Sequence, residues 1–144
     1  MYRWVDHTAE LELRVEAPTE EGVFREALAA LGELLQEHSD QSSGRPAAHE
    51  VNASAPDRPT LLAEWLNELV FLAESEQFIP ETVEALSIME PKPRDLLASC
   101  ALDLDATISG RQAAPPHLVK AVTYHRLDMK EHDGGWHATA VLDV

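Results

Sequence analysis

Residues 10–37 read ELELRVEAPTEEGVFREALAALGELLQE, and this stretch decides the fold class. Apolar and charged side chains first alternate strictly, a period of two that predicts a strand buried on one face. The apolar residues then recur at helical spacing, which predicts an amphipathic helix over about 20–37 with Thr19 as its N-cap. The predicted core face of the strand carries Leu11, Leu13, Val15 and Ala17, and the predicted solvent face carries Glu10, Glu12, Arg14 and Glu16.

The rest of the chain extends these two patterns. Thr60 is the predicted N-cap of a second helix, whose broad apolar face includes Trp65. The polar composition of residues 38–48 predicts a mobile loop. Strands are predicted around 51–55, 83–89, 102–108, 119–129 and 136–144, the last two joined by a turn at 133–135. The predicted fold class is therefore α+β: one domain over residues 1–144, mostly antiparallel sheet, with two main amphipathic helices.

Composition limits the classes of function. The 144 residues are 44% hydrophobic, which is enough for one domain with a core of its own. Acidic side chains number 26 against 11 basic ones, giving a formal net charge of −15. Nucleic-acid binding requires clustered basic side chains, and anionic membrane surfaces attract them too. We therefore expect neither direct nucleic-acid binding nor membrane association.

The single cysteine, Cys100, excludes an intrachain disulfide and a multi-cysteine metal site. It stands in the apolar stretch LLASCAL, which favours a buried structural thiol over a catalytic nucleophile. The first ten residues have no apolar core of the kind that a signal peptide carries, and no apolar run is long enough to cross a bilayer. The expected location is the cytoplasm.

Acidic residues stand near both ends of the chain. Asp6, His7 and Glu10 come just before the first predicted strand, and Asp143 with the carboxylate of Val144 ends the last one. If these two strand ends meet in the sheet, several oxygen ligands converge, and oxygen-rich sites suit calcium, magnesium or manganese. The alternative is that these carboxylates are simply solvated.

Other polar residues carry weaker signals. Asp103 and Asp105 share one face of a strand, where a solvated sheet face accounts for them. The seven histidines are scattered and are more typical of surface or hydrogen-bonded side chains than of ligands. Lys120 lies on the strand predicted around 119–129, and strict alternation places it with Val122 and Tyr124. It either extends its ammonium group to the surface or points toward the acidic end of the sheet or a partner.

Five motifs in a fixed order carry a family resemblance over nearly the whole chain. They are DHTAE at 6–10, LLAEWLNELVFL at 61–72, FIP at 78–80, VKAVTYH at 119–125 and DV at 143–144. The set resembles the archease family, whose members are cytoplasmic α+β proteins that assist the RtcB-type RNA-splicing ligase. The resemblance implies that the chain promotes guanylylation and multiple turnover of that ligase, with GTP used by the ligase.

The resemblance also implies site residues. The family's divalent ion, seen as calcium, corresponds to a site at Glu10, Asp143 and an oxygen of Val144, with Asp6 as a further candidate ligand. The family's important lysine matches Lys120. The motif normally ends in Asp, whereas this chain has Glu10. The longer side chain keeps the charge but moves the oxygens by about 1.5 Å, a change that calcium tolerates better than magnesium does.

The leading hypothesis is therefore an accessory protein for tRNA splicing or RNA repair, without a catalytic reaction of its own. Two alternatives belong to other classes. One is a stand-alone metal-dependent hydrolase that uses Asp6, His7, Glu10 and Asp143. The other is a chaperone-like binding module that uses a helix face.

Overall fold

The computed structural model describes residues 1–7, 9–37, 44–90 and 101–144. The described residues form two helices and seven strands. Their order is β1 (Tyr2–His7), β2 (Glu10–Ala17), α1 (Glu20–Leu35), β3 (Arg45–Ala55), α2 (Arg58–Ser75), β4 (Phe78–Met89), β5 (Leu102–Gln112), β6 (Ala121–His132) and β7 (Gly135–Asp143).

The strands form two antiparallel sheets. The four-stranded sheet has the order β1-β2-β7-β6, and the three-stranded sheet has the order β3-β5-β4. Both helices contact strands of both sheets, so the helices form a layer between them. This confirms the predicted α+β class with mostly antiparallel sheet and two main helices.

The buried core lies around both helices, each of which has a face of fully buried side chains. Trp65 is fully buried, donates its indole N–H to the carbonyl oxygen of Phe24 at 3.0 Å, and packs edge-on against the Phe24 ring. Buried side chains of β2, β5 and β7 face the helices from the two sheets. Burying this apolar surface is the dominant stabilising contribution, at about 25 cal/mol for each Å² removed from water.

Several predicted boundaries differ from the structure. Residues 2–7 form β1, which the sequence did not predict, because it is an edge strand with only partly buried side chains. Residues 45–48 begin β3 rather than belonging to a loop, since pairing with β5 continues out to Gln112. The strand predicted at 83–89 begins at Phe78, whose buried side chain joins the core.

The predicted N-cap was confirmed for α1 and was wrong for α2. Thr19 caps α1 as predicted, and its hydroxyl accepts a hydrogen bond from the N–H of Gly22 at 3.0 Å. The prediction that Thr60 caps α2 was wrong, because the helix begins at Arg58 and Asp57 is the N-cap. The carboxylate of Asp57 accepts from the Thr60 N–H at 2.9 Å. A hydrogen bond with the Thr60 side chain, and after it the bond from the Thr60 N–H, lower the Asp57 pKa.

Two predictions lie wholly or partly outside the described residues: the buried thiol of Cys100 and residues 38–43 of the predicted loop. Within the described ranges, neither helix combines the length and apolar character needed to cross a bilayer.

Candidate functional site

One end of the four-stranded sheet collects most of the residues that the sequence singled out. Glu10 is paired with His7 of β1 on one side and with Asp143 of β7 on the other. Asp143 is in turn paired with Ala121 of β6, and its carbonyl oxygen accepts a hydrogen bond from the N–H of Lys120 at 2.8 Å. Antiparallel pairing thus brings the two ends of the chain together.

Asp6 does not join this row. It pairs with Leu11, one position farther along the strands, and successive side chains of a strand point to opposite faces. Asp6 therefore lies on the face opposite to Glu10 and Asp143, where its exposed carboxylate is directed away from theirs. Val144 follows Asp143 directly and is 42% exposed.

The carboxylate of Glu10 has a cationic partner. Its Oε2 accepts from a terminal nitrogen of Arg126 at 3.3 Å, so Arg126 reaches from β6 across β7 to β2. The reach is made possible by a bulge: β6 pairs Thr123 with Val141 and Asp128 with Thr139, leaving residues 124–127 opposite a single residue. Bulges redirect side chains and are common beside functional sites.

Arg126 has a left-handed backbone within this bulge, with φ of 55°. For a residue with a Cβ atom, that conformation costs roughly 1–2 kcal/mol. Surrounding structure must hold it in place, and the ion pairs of its guanidinium with Glu10 and Glu12 are such contacts.

Glu12 corrects the expectation that the charged face of β2 is solvated. It is 4% exposed, although its position in the alternation matches that of Glu10. Its carboxylate lies 2.6 Å from Nε of Arg14, 3.6 Å from Nε of Arg126 and 3.7 Å from Nε2 of His7. The sequence carries no signal for this burial, because the alternation alone places Glu12 in solvent.

Two opposing effects set the protonation of Glu12. Burial alone raises the pKa, since it disfavours the charged carboxylate. The hydrogen bond and positive charge of Arg14, together with the charges of Arg126 and His7, outweigh burial and lower the pKa below its usual value. Glu12 is therefore an ionised carboxylate held among cationic side chains.

A half-open cavity of about 740 Å³ adjoins Glu12 on the outer face of this sheet. Its lining mixes both charge signs: Arg3, Arg14, Arg126 and Lys130 with Glu12, Glu16 and Asp128. Glu10, Asp143 and Lys120 lie outside its lining, so the cavity and the row of predicted site residues are neighbours that share the Arg126 bulge.

The predicted metal ligands fit a cation only in part. Glu10 and Asp143 are directly opposite on neighbouring strands, which separates their Cβ atoms by roughly 4.5–5.5 Å. Two carboxylates at that spacing can share a hard cation. However, the Glu10 carboxylate already accepts a hydrogen bond from Arg126. Across residues 1–7, 9–37, 44–90 and 101–144, no three His, Cys, Asp or Glu side chains form a metal-binding group.

Lys120 is exposed and stands just before β6 rather than in it. Of the two residues that strict alternation groups with it, Val122 is buried and Tyr124, at the start of the bulge, is 59% exposed. The Tyr124 hydroxyl donates to Oε1 of Glu64 on α2 at 2.7 Å, and this hydrogen bond raises the pKa of the phenol. Lys120 itself is exposed at the end of the sheet, where its N–H meets the carbonyl oxygen of Asp143.

The aspartates of β5 lie away from this end. Asp103 and Asp105 are exposed on the three-stranded sheet, as the solvated-face interpretation predicted. The hydroxyl of Ser54 donates to Asp103 at 2.8 Å, an exposed cross-strand contact of structural type.

Comparisons with known proteins agree over the length of the chain. A family model described as the archease protein family matches residues 2–144. An archease from Methanosarcina mazei is 28% identical, covering 99% of this chain and 95% of its own, and one from Methanopyrus kandleri is 31% identical, covering 97% and 96%. The solution structure of Methanobacterium thermoautotrophicum protein 1598 superposes with a TM-score of 0.76 at 27% identity, covering 99% of this chain and 98% of its own.

A second solved structure shares the fold. The Thermotoga maritima archease, described as a possible chaperone, has a TM-score of 0.62 at 15% identity, covering all of this chain and 98% of its own. At that identity the likeness concerns the fold alone.

Proposed function

The chain belongs to the archease family, and from that premise we propose that it is an accessory protein that activates an RtcB-type RNA ligase. In this proposal it acts in the cytoplasm, in tRNA splicing or RNA repair. It promotes guanylylation of the ligase and its multiple turnover, while GTP is bound and consumed by the ligase. The chain contributes no catalytic reaction of its own.

The observation that carries the proposal is the meeting of Lys120, Asp143 and Glu10 at one end of the four-stranded sheet. These residues are distant in the sequence, and strand pairing places both charge signs at one end of the sheet. This end of the sheet can contact a nucleotide pocket in two ways. The ammonium group can pair with a phosphate or carboxylate oxygen, and the carboxylates can bind a cation.

The net charge supports a protein partner rather than RNA. A chain with a formal charge of −15 repels phosphate backbones but is attracted to the basic surface of an RNA-handling enzyme. The accessory protein then approaches the ligase, and the ligase holds the RNA.

A divalent ion, most simply calcium, is part of the proposal. Glu10 and Asp143 are its carboxylate donors and an oxygen of Val144 the third. Arg126 pairs with the Glu10 carboxylate. A cation that uses the same carboxylate must therefore compete with Arg126. The longer Glu10 side chain, where the family has Asp, leaves room for this exchange of partners.

A ligation assay tests the role of Lys120. We expect wild-type protein to raise product formation by the cognate ligase under multiple-turnover conditions, and Lys120→Ala to lose at least tenfold of that stimulation. Removing one member of a buried interfacial charge pair typically costs about 2–5 kcal/mol. Lys130→Ala is the matched control, since Lys130 is also an exposed lysine that adjoins this sheet but pairs with Asp128 at 3.5 Å. Full stimulation by Lys120→Ala would remove Lys120 from the proposal.

Calcium titration calorimetry tests the ion. Glu10→Ala and Asp143→Ala should abolish binding, whereas Arg126→Ala should strengthen it severalfold, because it removes a positive charge and frees the Glu10 carboxylate. Arg14→Ala is the control: Arg14 also pairs with Glu12, but the ion pair with Glu10 is made by Arg126. Unchanged affinity in both carboxylate variants contradicts the site.

The same reagents separate the two alternative classes. A metal-dependent hydrolase turns over substrate with metal and no ligase, and loses activity in Asp143→Ala. A chaperone-like module suppresses aggregation of unrelated proteins and is indifferent to that substitution. Both alternatives are excluded if the protein is inert by itself and acts only by stimulating the ligase.

A further inference from the structure

Exposed apolar side chains border the Lys120 end of the molecule. Phe71 on α2 is 57% exposed and Leu118, two residues before Lys120, is 52% exposed. Large apolar groups in the middle of a polar surface often mark a protein interface. Their positions relative to each other follow from how α2 lies along β6.

Two hydrogen bonds fix that alignment. Tyr124 donates to Glu64, and the N–H of Val122 donates to Oδ1 of Asn67 at 3.2 Å. As the helix advances from residue 64 to 67, the strand goes back from 124 to 122, so the two elements run antiparallel. The next residue on this helix face is Phe71, one turn beyond Asn67.

Lys120 and Leu118 come just before β6, which begins at Ala121. They and Phe71 therefore lie beyond the contact between Asn67 and Val122, toward the same end of the molecule. We call Phe71, Leu118 and the neighbouring acidic residues of this helix face, Glu64 and Glu68, the α2 surface.

The α2 surface has an apolar centre and an acidic border. Glu68 is exposed one turn from Glu64, and Lys120 stands at the edge toward Asp143. An aromatic side chain surrounded by charge is the usual arrangement of a binding hot spot, where the apolar anchor supplies affinity and the border supplies specificity.

We propose that the α2 surface is the docking site for the protein partner, which presents an apolar pocket bordered by lysine or arginine side chains. This inference rests on the proposed function, since it takes the partner to be the RNA ligase. Docking there brings the partner to the end of the sheet that carries Lys120, Asp143 and Glu10. Charge selects this occupant over a second copy of the chain, because two acidic borders repel each other.

Direct binding to the purified RtcB-type ligase, measured by calorimetry, tests the docking site. We expect Phe71→Ala and Leu118→Ala each to raise the dissociation constant at least tenfold, and Glu68→Lys to raise it further at low salt. Met89→Ala is the matched control, because Met89 is also 57% exposed but lies on β4 of the three-stranded sheet. It should bind within twofold of wild type. Circular dichroism checks that each variant is folded.

The outcomes separate this inference from the proposed function. If wild type binds the ligase and both Phe71→Ala and Leu118→Ala bind equally well, the docking site is wrong while the ligase remains the partner. If wild type neither binds nor stimulates the ligase, the proposed function fails and the docking site fails with it. If sedimentation shows a dimer that Phe71→Ala abolishes, the α2 surface is a self-association interface and the proposal is overturned.

Discussion

At the scale of single residues, Glu12 differs most from what its position in the sequence suggests. Its neighbours on the same face of β2, Glu10 and Glu16, remain partly or largely open to solvent, whereas Glu12 is enclosed. An enclosed carboxylate is tolerated only when cations and hydrogen bonds replace its hydration. Arg14 of the same strand and Arg126 of β6 provide that replacement, so the residue links β2 to β6.

Glu12→Gln tests this link by removing the charge at nearly constant volume. We expect a loss of about 1–3 kcal/mol in the free energy of unfolding at pH 7, the range for hydrogen bonds to charged groups. The folded pKa of Glu12 is lowered, so its contribution is complete above its usual pKa of 4.5 and is lost as pH falls below that value. Urea unfolding at pH 7 and at about pH 3.5 measures both, and the wild-type advantage should shrink at the lower pH.

Glu16→Gln is the control for this experiment. Glu16 lies four residues farther along the strand on the same face, its side chain is 65% exposed, and it contacts His137 at 3.5 Å. Its replacement should change the unfolding free energy by less than about 0.5 kcal/mol. Equal effects at the two positions, or a wild-type advantage that grows on acidification, would show that the enclosed ion pairs do not stabilise the fold.

At the scale of elements, one glycine sets how closely α1 lies against the three-stranded sheet. A Cβ atom built on Gly32 stands 2.2 Å from the carbonyl oxygen of Pro80 in β4. Helix propensity alone disfavours glycine here by about 1 kcal/mol relative to alanine. Close approach of the helix to a backbone oxygen is therefore the reason for glycine at this position.

Gly32→Ala should destabilise the protein despite its higher helix propensity. The added methyl group forces the helix away from β4, and overpacking of this kind costs about 1–3 kcal/mol. Denaturant unfolding measures the change. Ala29→Gly, at an exposed position of the same helix, is the matched comparison and should lose roughly 1 kcal/mol by propensity alone. Stabilisation by Gly32→Ala would contradict the close approach.

At the scale of the whole molecule, charge is distributed unevenly. The formal net charge is −15, yet four of the 11 basic side chains line one cavity beside the four-stranded sheet. The α2 surface has Glu64 and Glu68 beside its apolar centre, and Lys120 at its edge. Long-range attraction to a basic partner is therefore a property of the entire chain, whereas the contacts that select the partner are local.

Association with the ligase should accordingly depend on salt. Between ~0.05 M and ~0.5 M salt we expect the association rate constant to fall about tenfold or more, because screening shortens the reach of surface charge. The dissociation rate constant should change much less, since short-range apolar contacts are weakly screened. Stopped-flow mixing measures both. An association rate that is insensitive to salt would mean that the net charge does not steer the encounter.

The sequence by itself determined the class of fold and its main elements. Strict alternation in β2 and helical spacing in α1 are local patterns, because side-chain periodicity follows directly from backbone geometry. The cap at Thr19 was likewise readable, since a cap and its helix are contiguous. The five ordered motifs carried the family, and with it the candidate residues Glu10, Asp143 and Lys120.

Only the tertiary structure decided how those residues are arranged. The edge strand β1 has few apolar side chains and exists because it pairs with β2, a contact that no local pattern records. The burial of Glu12 and the pairing of Arg126 with Glu10 depend on a bulge more than a hundred residues away in the chain. Asp6 lies on the opposite face of the sheet from Glu10 because it pairs with the next residue, Leu11. Such features depend on which surfaces meet after folding. Sequence periodicity reports local backbone geometry and does not identify contacts between residues that are distant along the chain.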